Sequence, residues 1–339
     1  MPFADDAVTV RAYAPGRVNL IGDHTDYTGG LVLPMAIDRG TTVVLERSGE
    51  QLVLKSADEE EPAVVHLDMA DPTAAWPPWA RLVAGVVHEM RPPVGGVGTV
   101  RTDLPIGAGL SSSAALEVAL ALALGFDGPR LELARVCQRA EQAASGVPCG
   151  IMDQLASAAG VPGHGLLIDC SSLSVTPVPV PDGVDVVVVH SGQRRSLSTS
   201  AYAERRAECE AATAMLGPLR EANVDDVAGM DEPVLRRRAR HVVTENARVL
   251  GFAGALAGGD LPEAGRLMVE SHRSLATDFD VSTTALDRLV DRLLDVPGVH
   301  GARLTGAGFG GCVVALAEAG ALDEGWLVKA SGGATVDKL

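Results

Sequence analysis

The sequence contains few aromatic residues and very few lysines. Phe, Trp and Tyr make up 3% of the 339 residues, whereas hydrophobic residues as a whole make up 47%. The core must therefore be built mainly from Leu, Val and Ala. Lysine occurs only at Lys55, Lys329 and Lys338. A site for an anionic ligand would therefore have to use arginine side chains and backbone N–H groups.

Positive charge is also scarce overall. The formal net charge is −16 at pH 7, which argues against a general binder of nucleic acids or anionic membranes. No apolar stretch reaches about 18 residues free of charge, and the first ten residues lack the basic and apolar regions of a signal peptide. We therefore expect a cytoplasmic protein with small-molecule partners, without nucleic-acid or membrane partners. The sequence leaves the oligomeric state open and is compatible with a monomer.

Cysteine is sparse and scattered. The five cysteines are Cys137, Cys149, Cys170, Cys209 and Cys312. Because no CxxC pair occurs, neither a disulfide framework nor a zinc site is expected. Each cysteine is best interpreted as a small buried thiol.

The most informative segment is LPIGAGLSSSAALEVAL, residues 104–120. It contains Gly107 and Gly109, then the serines at 111–113, then an Ala/Leu-rich run that ends at Gly125. This pattern predicts a glycine loop that opens onto a helix N-terminus, where free N–H groups and the helix dipole favour a phosphate. The serines could cap the helix or bind phosphate or a metal. No Lys-Ser/Thr follows, so this is not a Walker A loop. A capped buried helix is the alternative.

A dense polar cluster lies near the N-terminus. Its members are Arg17, Asn19, Asp23, His24, Asp26 and Tyr27, and Pro15, Gly16, Gly22, Gly29 and Gly30 predict turns around them. Carboxylates, an imidazole and a guanidinium on one tight loop could bind several hydroxyl groups, as a sugar requires. A metal site is disfavoured because no second ligand cluster is evident. A solvated loop with a local salt bridge is the alternative.

The rest of the chain mixes strands and helices. We predict strands at 8–14, 43–46, 52–54, 97–102, 186–189 and 313–316, and helices at 80–90 and 131–144. Asp153 is expected in the first turn of a small-residue helix, and 271–280 is interpreted as a helix end and loop. A Pro-rich stretch predicts a boundary near Pro181, and a glycine-rich turn is expected at 306–311.

Four segments together resemble the GHMP kinases, a family of small-molecule kinases. They are GRVNLIGDHTDY at 16–27, LPIGAGLSSSAA at 104–115, CGIMDQ at 149–154 and LTGAGFGG at 304–311. The second and fourth occur across that family, whereas the first and third are similar to its galactokinase branch.

The resemblance implies an α+β fold with two domains. The N-terminal domain, 1–182, would resemble domain 2 of ribosomal protein S5. The C-terminal domain, 183–339, would be ferredoxin-like, and the active site would lie in the cleft between them. The implied activity is that of an ATP- and Mg²⁺-dependent sugar 1-kinase that converts galactose to galactose 1-phosphate.

The resemblance also implies roles for individual residues. Asp153 matches the catalytic aspartate and Arg17 the arginine that pairs with it, while Ser112 and Glu141 match the magnesium ligands. The nucleotide would contact Trp79 and the loop formed by Gly107, Ala108, Gly109, Leu110, Ser111, Ser112 and Ser113. The sugar would contact Asp23, His24, Asp26, Gly150 and Tyr202.

One position departs from the family pattern. Galactokinases usually have Gly-Glu-His where this chain has Gly22, Asp23 and His24. The shorter carboxylate would withdraw from the hydroxymethyl end of the sugar by about 1.3–1.5 Å, one C–C bond. Another hexose, N-acetylgalactosamine, arabinose or a cyclitol is therefore an alternative substrate. A non-catalytic sugar sensor is a further alternative, but the known sensors lack a Ser-Ala pair that Ser113 and Ala114 provide here.

Overall fold

The structure is a computed structural model that describes residues 8–105, 108–193 and 198–339, without the side chains of 198–200. The strands are β1 (Thr9–Ile21), β2 (Leu31–Arg47), β3 (Gln51–Ser56), β4 (Ala63–His66), β5 (Gly96–Thr102), β6 (His164–Asp169), β7 (Ser174–Pro179), β8 (Val184–His190), β9 (Val299–Thr305), β10 (Cys312–Glu318), β11 (Trp326–Val328) and β12 (Thr335–Lys338). The helices are α1 (Ala80–Met90), α2 (Ser112–Ala123), α3 (Arg130–Ser145), α4 (Met152–Ala159), α5 (Ser198–Leu216), α6 (Val224–Ala228), α7 (Pro233–Gly258), α8 (Leu261–Thr277) and α9 (Thr284–Leu294).

The first sheet has the strand order β12-β1-β2-β5-β3-β4, and β6 and β7 extend it from β2. Its pairs are antiparallel except β3 with β5. Helices α1, α2 and α4 pack against this sheet, and α3 packs against these three helices, around a core of Val, Leu and Ala side chains. This composition agrees with the scarcity of aromatic residues.

The second sheet is antiparallel, with the strand order β11-β8-β10-β9. Helix α8 packs against β9, and α7 lies between α8 and the first sheet. A hydrophobic cluster joins the two halves, with Leu20 and Met35 of the first sheet, Phe252 of α7 and Val314 of the second sheet. The chain then returns, because β12 pairs with β1. The division at 182/183 stays a prediction.

The turn predicted at Pro15 and Gly16 is wrong. Pro15 and Gly16 lie inside β1 rather than at a turn, because a register shift between Pro15 and Arg17 keeps the strand paired with β2. Residues 271–277 are the last turns of α8 and 278–280 leave the helix, which confirms the helix end and loop predicted at 271–280. Ser271, His272 and Ser274 are buried there, and the Ser271 hydroxyl donates to Glu245 Oε1 at 2.5 Å.

Among the described residues, no helix is both long enough and apolar enough to cross a membrane.

Candidate active site

The centre of the site is an ion pair between Arg17 on β1 and Asp153 in the first turn of α4. Arg17 Nε donates to Asp153 Oδ1 at 2.8 Å, and Nη2 donates to Oδ2 at 2.6 Å. The third guanidinium nitrogen, Nη1, donates to the Gly109 carbonyl at 2.7 Å. The Ser111 hydroxyl donates to Asp153 Oδ2 at 2.5 Å. One strand, one helix turn and the glycine loop therefore meet at a single carboxylate.

The loop that contains Gly109 and Ser111 leads into α2 as the sequence predicts, but Ser111 does not cap the helix with its side chain. Ser111 has a φ of 57° and its hydroxyl bonds to Asp153 instead. The N-terminus of α2 thus has no side-chain cap from this residue, and it keeps the N–H groups that suit an anion. Gly107, also predicted to lie in this loop, falls outside the described residues.

Glu141 of α3 lies beside Ser113 rather than Ser112. The Ser113 hydroxyl donates to Glu141 Oε1 at 3.0 Å, and Gln154 Nε2 donates to Oε2 at 2.5 Å. Ser112 is exposed. Burial, followed by the nearby Asp153 carboxylate, raises the pKa of Glu141.

A magnesium ion fits this donor set. Within the described ranges, no three His, Cys, Asp or Glu side chains form a metal site, so protein carboxylates alone would not complete the coordination. Mg²⁺ characteristically takes one or two protein oxygens and fills the rest of its octahedron with water and phosphate. Glu141 and Ser113 supply such oxygens next to the N-terminus of α2.

The carboxylate of Asp23 is engaged within the protein. Arg303 Nη2 donates to Asp23 Oδ2 at 2.5 Å, and the Gly306 N–H donates to Oδ1 at 3.0 Å. Both side chains are buried, with 2% of the Asp23 side chain and 0% of the Arg303 side chain exposed. This pair holds the polar loop of the first half against the glycine turn after β9.

His24 is engaged in the same way. Its Nε2 lies 3.2 Å from the Ala307 carbonyl, which can only accept, so Nε2 carries the proton. Its Nδ1 therefore accepts from the Tyr27 hydroxyl at 2.9 Å. Burial, with a further contribution from His241, lowers the pKa of His24 to about 3. The imidazole is thus neutral and acts as a wall of the site.

Asp26 approaches Gly150 so closely that any side chain at position 150 would have to displace it. A Cβ built on Gly150 would lie 1.7 Å from Asp26 Oδ2. Burial, followed by repulsion from Asp153, raises the pKa of Asp26 to about 7. Asp26 and Asp153 therefore face the same small space.

That space is a cavity of about 160 Å³. Of the residues predicted from the sequence, its walls contain Arg17, Asp23, His24, Asp26, Glu141, Gly150, Asp153 and Tyr202. Carboxylates, a guanidinium and a phenol around a volume of this size can bind the hydroxyl groups of a compact polyol.

A second cavity, of about 240 Å³, lies on the other side of the serines. It is lined by Trp79, Leu82, Leu104, Ser112 and Ser113, among others. The Ser113–Glu141 hydrogen bond connects the two cavities. Trp79 therefore lies beside the serine loop, as expected for a residue near a nucleotide base.

Several residues of the site were missed by the sequence analysis. The first cavity is also lined by Cys149, Met152, Gln154 and Ala307. Behind this lining, Arg303 bonds to Asp23 and Glu117 bonds to Gln154. Two signals could have revealed the supporting residues. Glu117 is the single charge in the Ala/Leu run of α2, and Arg303 is the single charge in the strand VHGARLT.

Three family models match this chain. Residues 3–47 match the galactokinase galactose-binding signature, residues 81–161 match the N-terminal domain of GHMP kinases, and residues 252–326 match their C-terminal domain. The order of these matches follows the two halves of the fold.

Curated relatives and solved structures agree with these matches. Galactokinases from Chloroflexus aggregans and Homo sapiens are each 46% identical, over 92% and 91% of this chain and 85% and 83% of those proteins. The crystal structure of Lactococcus lactis galactokinase complexed with galactose superimposes with a TM-score of 0.89 at 30% identity, over 98% of this chain and 96% of that one. Mevalonate kinase from Methanococcus jannaschii, at 20% identity and a TM-score of 0.66, shares the fold. The chain therefore belongs to the galactokinases, within the GHMP kinase family, and has their two-domain α+β fold.

Proposed function

We propose that this protein transfers the γ-phosphoryl group of ATP to the anomeric hydroxyl of galactose, which yields galactose 1-phosphate and ADP. The observation that carries the proposal is the meeting of Arg17, Ser111 and Asp153 at the wall of the first cavity. The sugar would occupy the cavity of about 160 Å³. ATP would place its base near Trp79 in the cavity of about 240 Å³, with its phosphates at the N-terminus of α2.

Asp153 orients the anomeric hydroxyl and accepts its proton as the oxygen attacks phosphorus in line. Arg17 fixes the orientation of this carboxylate through two hydrogen bonds. The same guanidinium donates to the Gly109 carbonyl, so Arg17 bonds both to the catalytic carboxylate and to the loop before α2. The residues contribute mainly by positioning the reactants and by stabilising charge on the transferred group.

Glu141 and Ser113 would hold Mg²⁺ beside the phosphates, in place of the pair Ser112 and Glu141 that the sequence predicts. The ion, when bound, neutralises charge on the phosphate oxygens. The separation of 3.0 Å between Ser113 Oγ and Glu141 Oε1 supports this choice of serine.

The sugar-binding roles divide into two kinds. Asp26, Gly150 and Tyr202 offer surfaces directly to a sugar in the cavity. Asp23 and His24 act by holding the Gly306–Ala307 turn in place, since their polar atoms bond to it. A cytoplasmic location and a monomeric state remain predictions.

A kinase for another sugar is the second candidate, because the Asp23 carboxylate accepts a hydrogen bond from Arg303 and is shorter than the glutamate usual at this position. ADP release should therefore be measured with galactose, glucose, N-acetylgalactosamine and arabinose side by side, together with the binding of each sugar. We expect galactose to give the highest kcat/KM. A higher value for another sugar would transfer the assignment to that sugar. Galactose binding without ADP release would identify a sensor.

A further inference from the structure

Helix α7 of the second half contacts the backbone of residues 22–31, which we call the sugar loop. The Gly22 N–H donates to Glu245 Oε1 at 3.1 Å, and the Leu31 N–H donates to Asn246 Oδ1 at 2.8 Å. His241 Nε2 donates to the Asp23 carbonyl at 3.1 Å. His241 and Glu245 are one helical turn apart and share one face of α7, and Asn246 follows Glu245, so one short stretch of α7 contacts both ends of the loop.

The loop approaches α7 closely enough to exclude side chains at the contact. A Cβ on Gly22 would lie 2.9 Å from Val249 Cγ2 of α7, and one on Gly30 would lie 2.6 Å from Asn246 Oδ1. The contact thus depends on glycine in the loop and on polar side chains in the helix. Such a contact determines the path of the backbone rather than the identity of loop side chains.

The helical side chains are themselves held by α8 and by a neighbour on α7. Glu245 accepts from the Ser271 hydroxyl at 2.5 Å and from Arg248 Nε at 2.7 Å. His241 Nδ1 lies 2.9 Å from the Ser274 hydroxyl. Although burial alone raises it, the pKa of Glu245 is lowered to about 2 by Arg248, His241 and Arg303. Glu245 is therefore an ionised acceptor, which makes a stronger hydrogen bond to the Gly22 N–H than a neutral group.

We infer that His241, Glu245 and Asn246 are positioning residues that set the conformation of the sugar loop and thereby the placement of Asp26 in the sugar cavity. They do not line that cavity, so they act through the loop backbone. The inference rests on the proposed function only for the identity of the sugar.

Asn246 provides the sharpest test because it makes one bond to the loop and is only half-buried. Asn246→Ala removes the acceptor of the Leu31 N–H, whereas Asn246→Asp keeps an oxygen in place. Leu250→Ala is the matched control on the same helix, at a side chain that is 54% exposed. The measurements are amide hydrogen exchange of residues 22–31, calorimetric galactose affinity, and KM for ATP.

We expect Asn246→Ala to speed exchange at Leu31 and to weaken galactose binding about three- to tenfold, the size of one lost hydrogen bond. The KM for ATP should stay within about twofold, and Asn246→Asp should restore most of the galactose affinity. Equal losses for galactose and ATP, or unchanged galactose affinity despite faster exchange at Leu31, would overturn the inference.

Glu245 gives an independent pair of variants. Glu245→Gln keeps an acceptor for the Gly22 N–H, and Glu245→Met does not. Faster exchange at Gly22 and weaker galactose binding in the Met variant alone support the inference, whereas identical behaviour of both variants contradicts it. If the wild-type protein bound no galactose, the proposed function would fail, while the exchange of the loop would still report whether α7 holds it.

Discussion

Arg17 and Asp153 are 136 positions apart in the chain, yet their side chains meet through two hydrogen bonds of 2.8 and 2.6 Å. The guanidinium is nearly buried, with 6% of its side chain exposed, while 28% of the Asp153 side chain stays open to the cavity. The geometry presents one edge of the carboxylate to arginine and leaves access from the sugar side. A bidentate pair of this kind fixes orientation as well as charge.

Replacing Asp153 by Asn should lower kcat by about 10²- to 10⁴-fold, because the amide cannot accept the proton of the attacking hydroxyl. Galactose affinity, measured by calorimetry, should change little. Ser111→Ala, which removes one donor to the same carboxylate, is the control and should retain more activity. Near-normal turnover of Asp153→Asn would remove Asp153 from the mechanism.

Galactose binding should depend on pH through Asp26, whose pKa is raised to about 7 by burial and by Asp153. Above that pH the ionised carboxylate accepts a hydrogen bond from a sugar hydroxyl, so affinity should rise from pH 6 to pH 8. Asp26→Asn should flatten this dependence. A wild-type affinity that is constant over the same range would contradict the role of Asp26.

Asp26 should also make stability fall with rising pH, whereas galactose affinity rises. Folding raises the pKa of Asp26 from its ordinary value of 3.8 to about 7, so the folded protein binds the proton more tightly than the unfolded chain. Its favourable contribution is present below the ordinary pKa and is lost as pH rises through about 7. The Tm should therefore fall less between pH 5 and pH 8 in Asp26→Asn than in the wild type.

Gly150→Ala should weaken galactose binding strongly, because the new Cβ would lie 1.7 Å from Asp26 Oδ2 and must displace it. A displacement of about 1 Å in a binding site can cost about 10²-fold. Gly254→Ala is the matched control, since no atom lies within 4 Å of its Cβ position in α7. That control should stabilise the fold by about 0.5–1 kcal/mol. Similar galactose affinities for both variants would argue against the Asp26–Gly150 contact.

Ser113→Ala should raise the Mg²⁺ concentration needed for half-maximal ADP release by about tenfold, the scale of an altered metal environment. Ser112→Ala should change it by less than about twofold, because Ser112 is exposed and Glu141 bonds to Ser113. Direct binding of Mn²⁺, followed by electron paramagnetic resonance, gives a second readout. The reverse ranking would restore Ser112 as the ligand.

Glu117→Gln should raise the Tm at neutral pH. Burial, with a contribution from Glu141, raises the pKa of Glu117 well above its ordinary value of 4.5. The contribution of this acid to stability is therefore lost as pH rises above that value. A neutral amide avoids this loss and still accepts from Gln154 Nε2, which lies 3.3 Å away. The gain in Tm should disappear below pH 4.5; a gain that persists there would have another cause.

The local periodicities predicted much of the fold. The helix expected at 80–90 is α1, and Asp153 lies in the first turn of α4 as anticipated. The wrong prediction at Pro15 and Gly16 has a physical reason. The pairing of β1 with β2 depends on another segment of the chain, and it overrides the local turn signal.

The sequence by itself determined the family, and it predicted a glycine loop before a helix and a polar cluster near the N-terminus, because these depend on short motifs whose order is visible in one dimension. Only the tertiary structure decided which polar atoms bond to one another. In it, the Asp23 carboxylate bonds to Arg303, Glu141 bonds to Ser113 rather than Ser112, and α7 contacts the sugar loop. These outcomes depend on side chains that pack together from positions far apart in the chain, and no local pattern records such contacts.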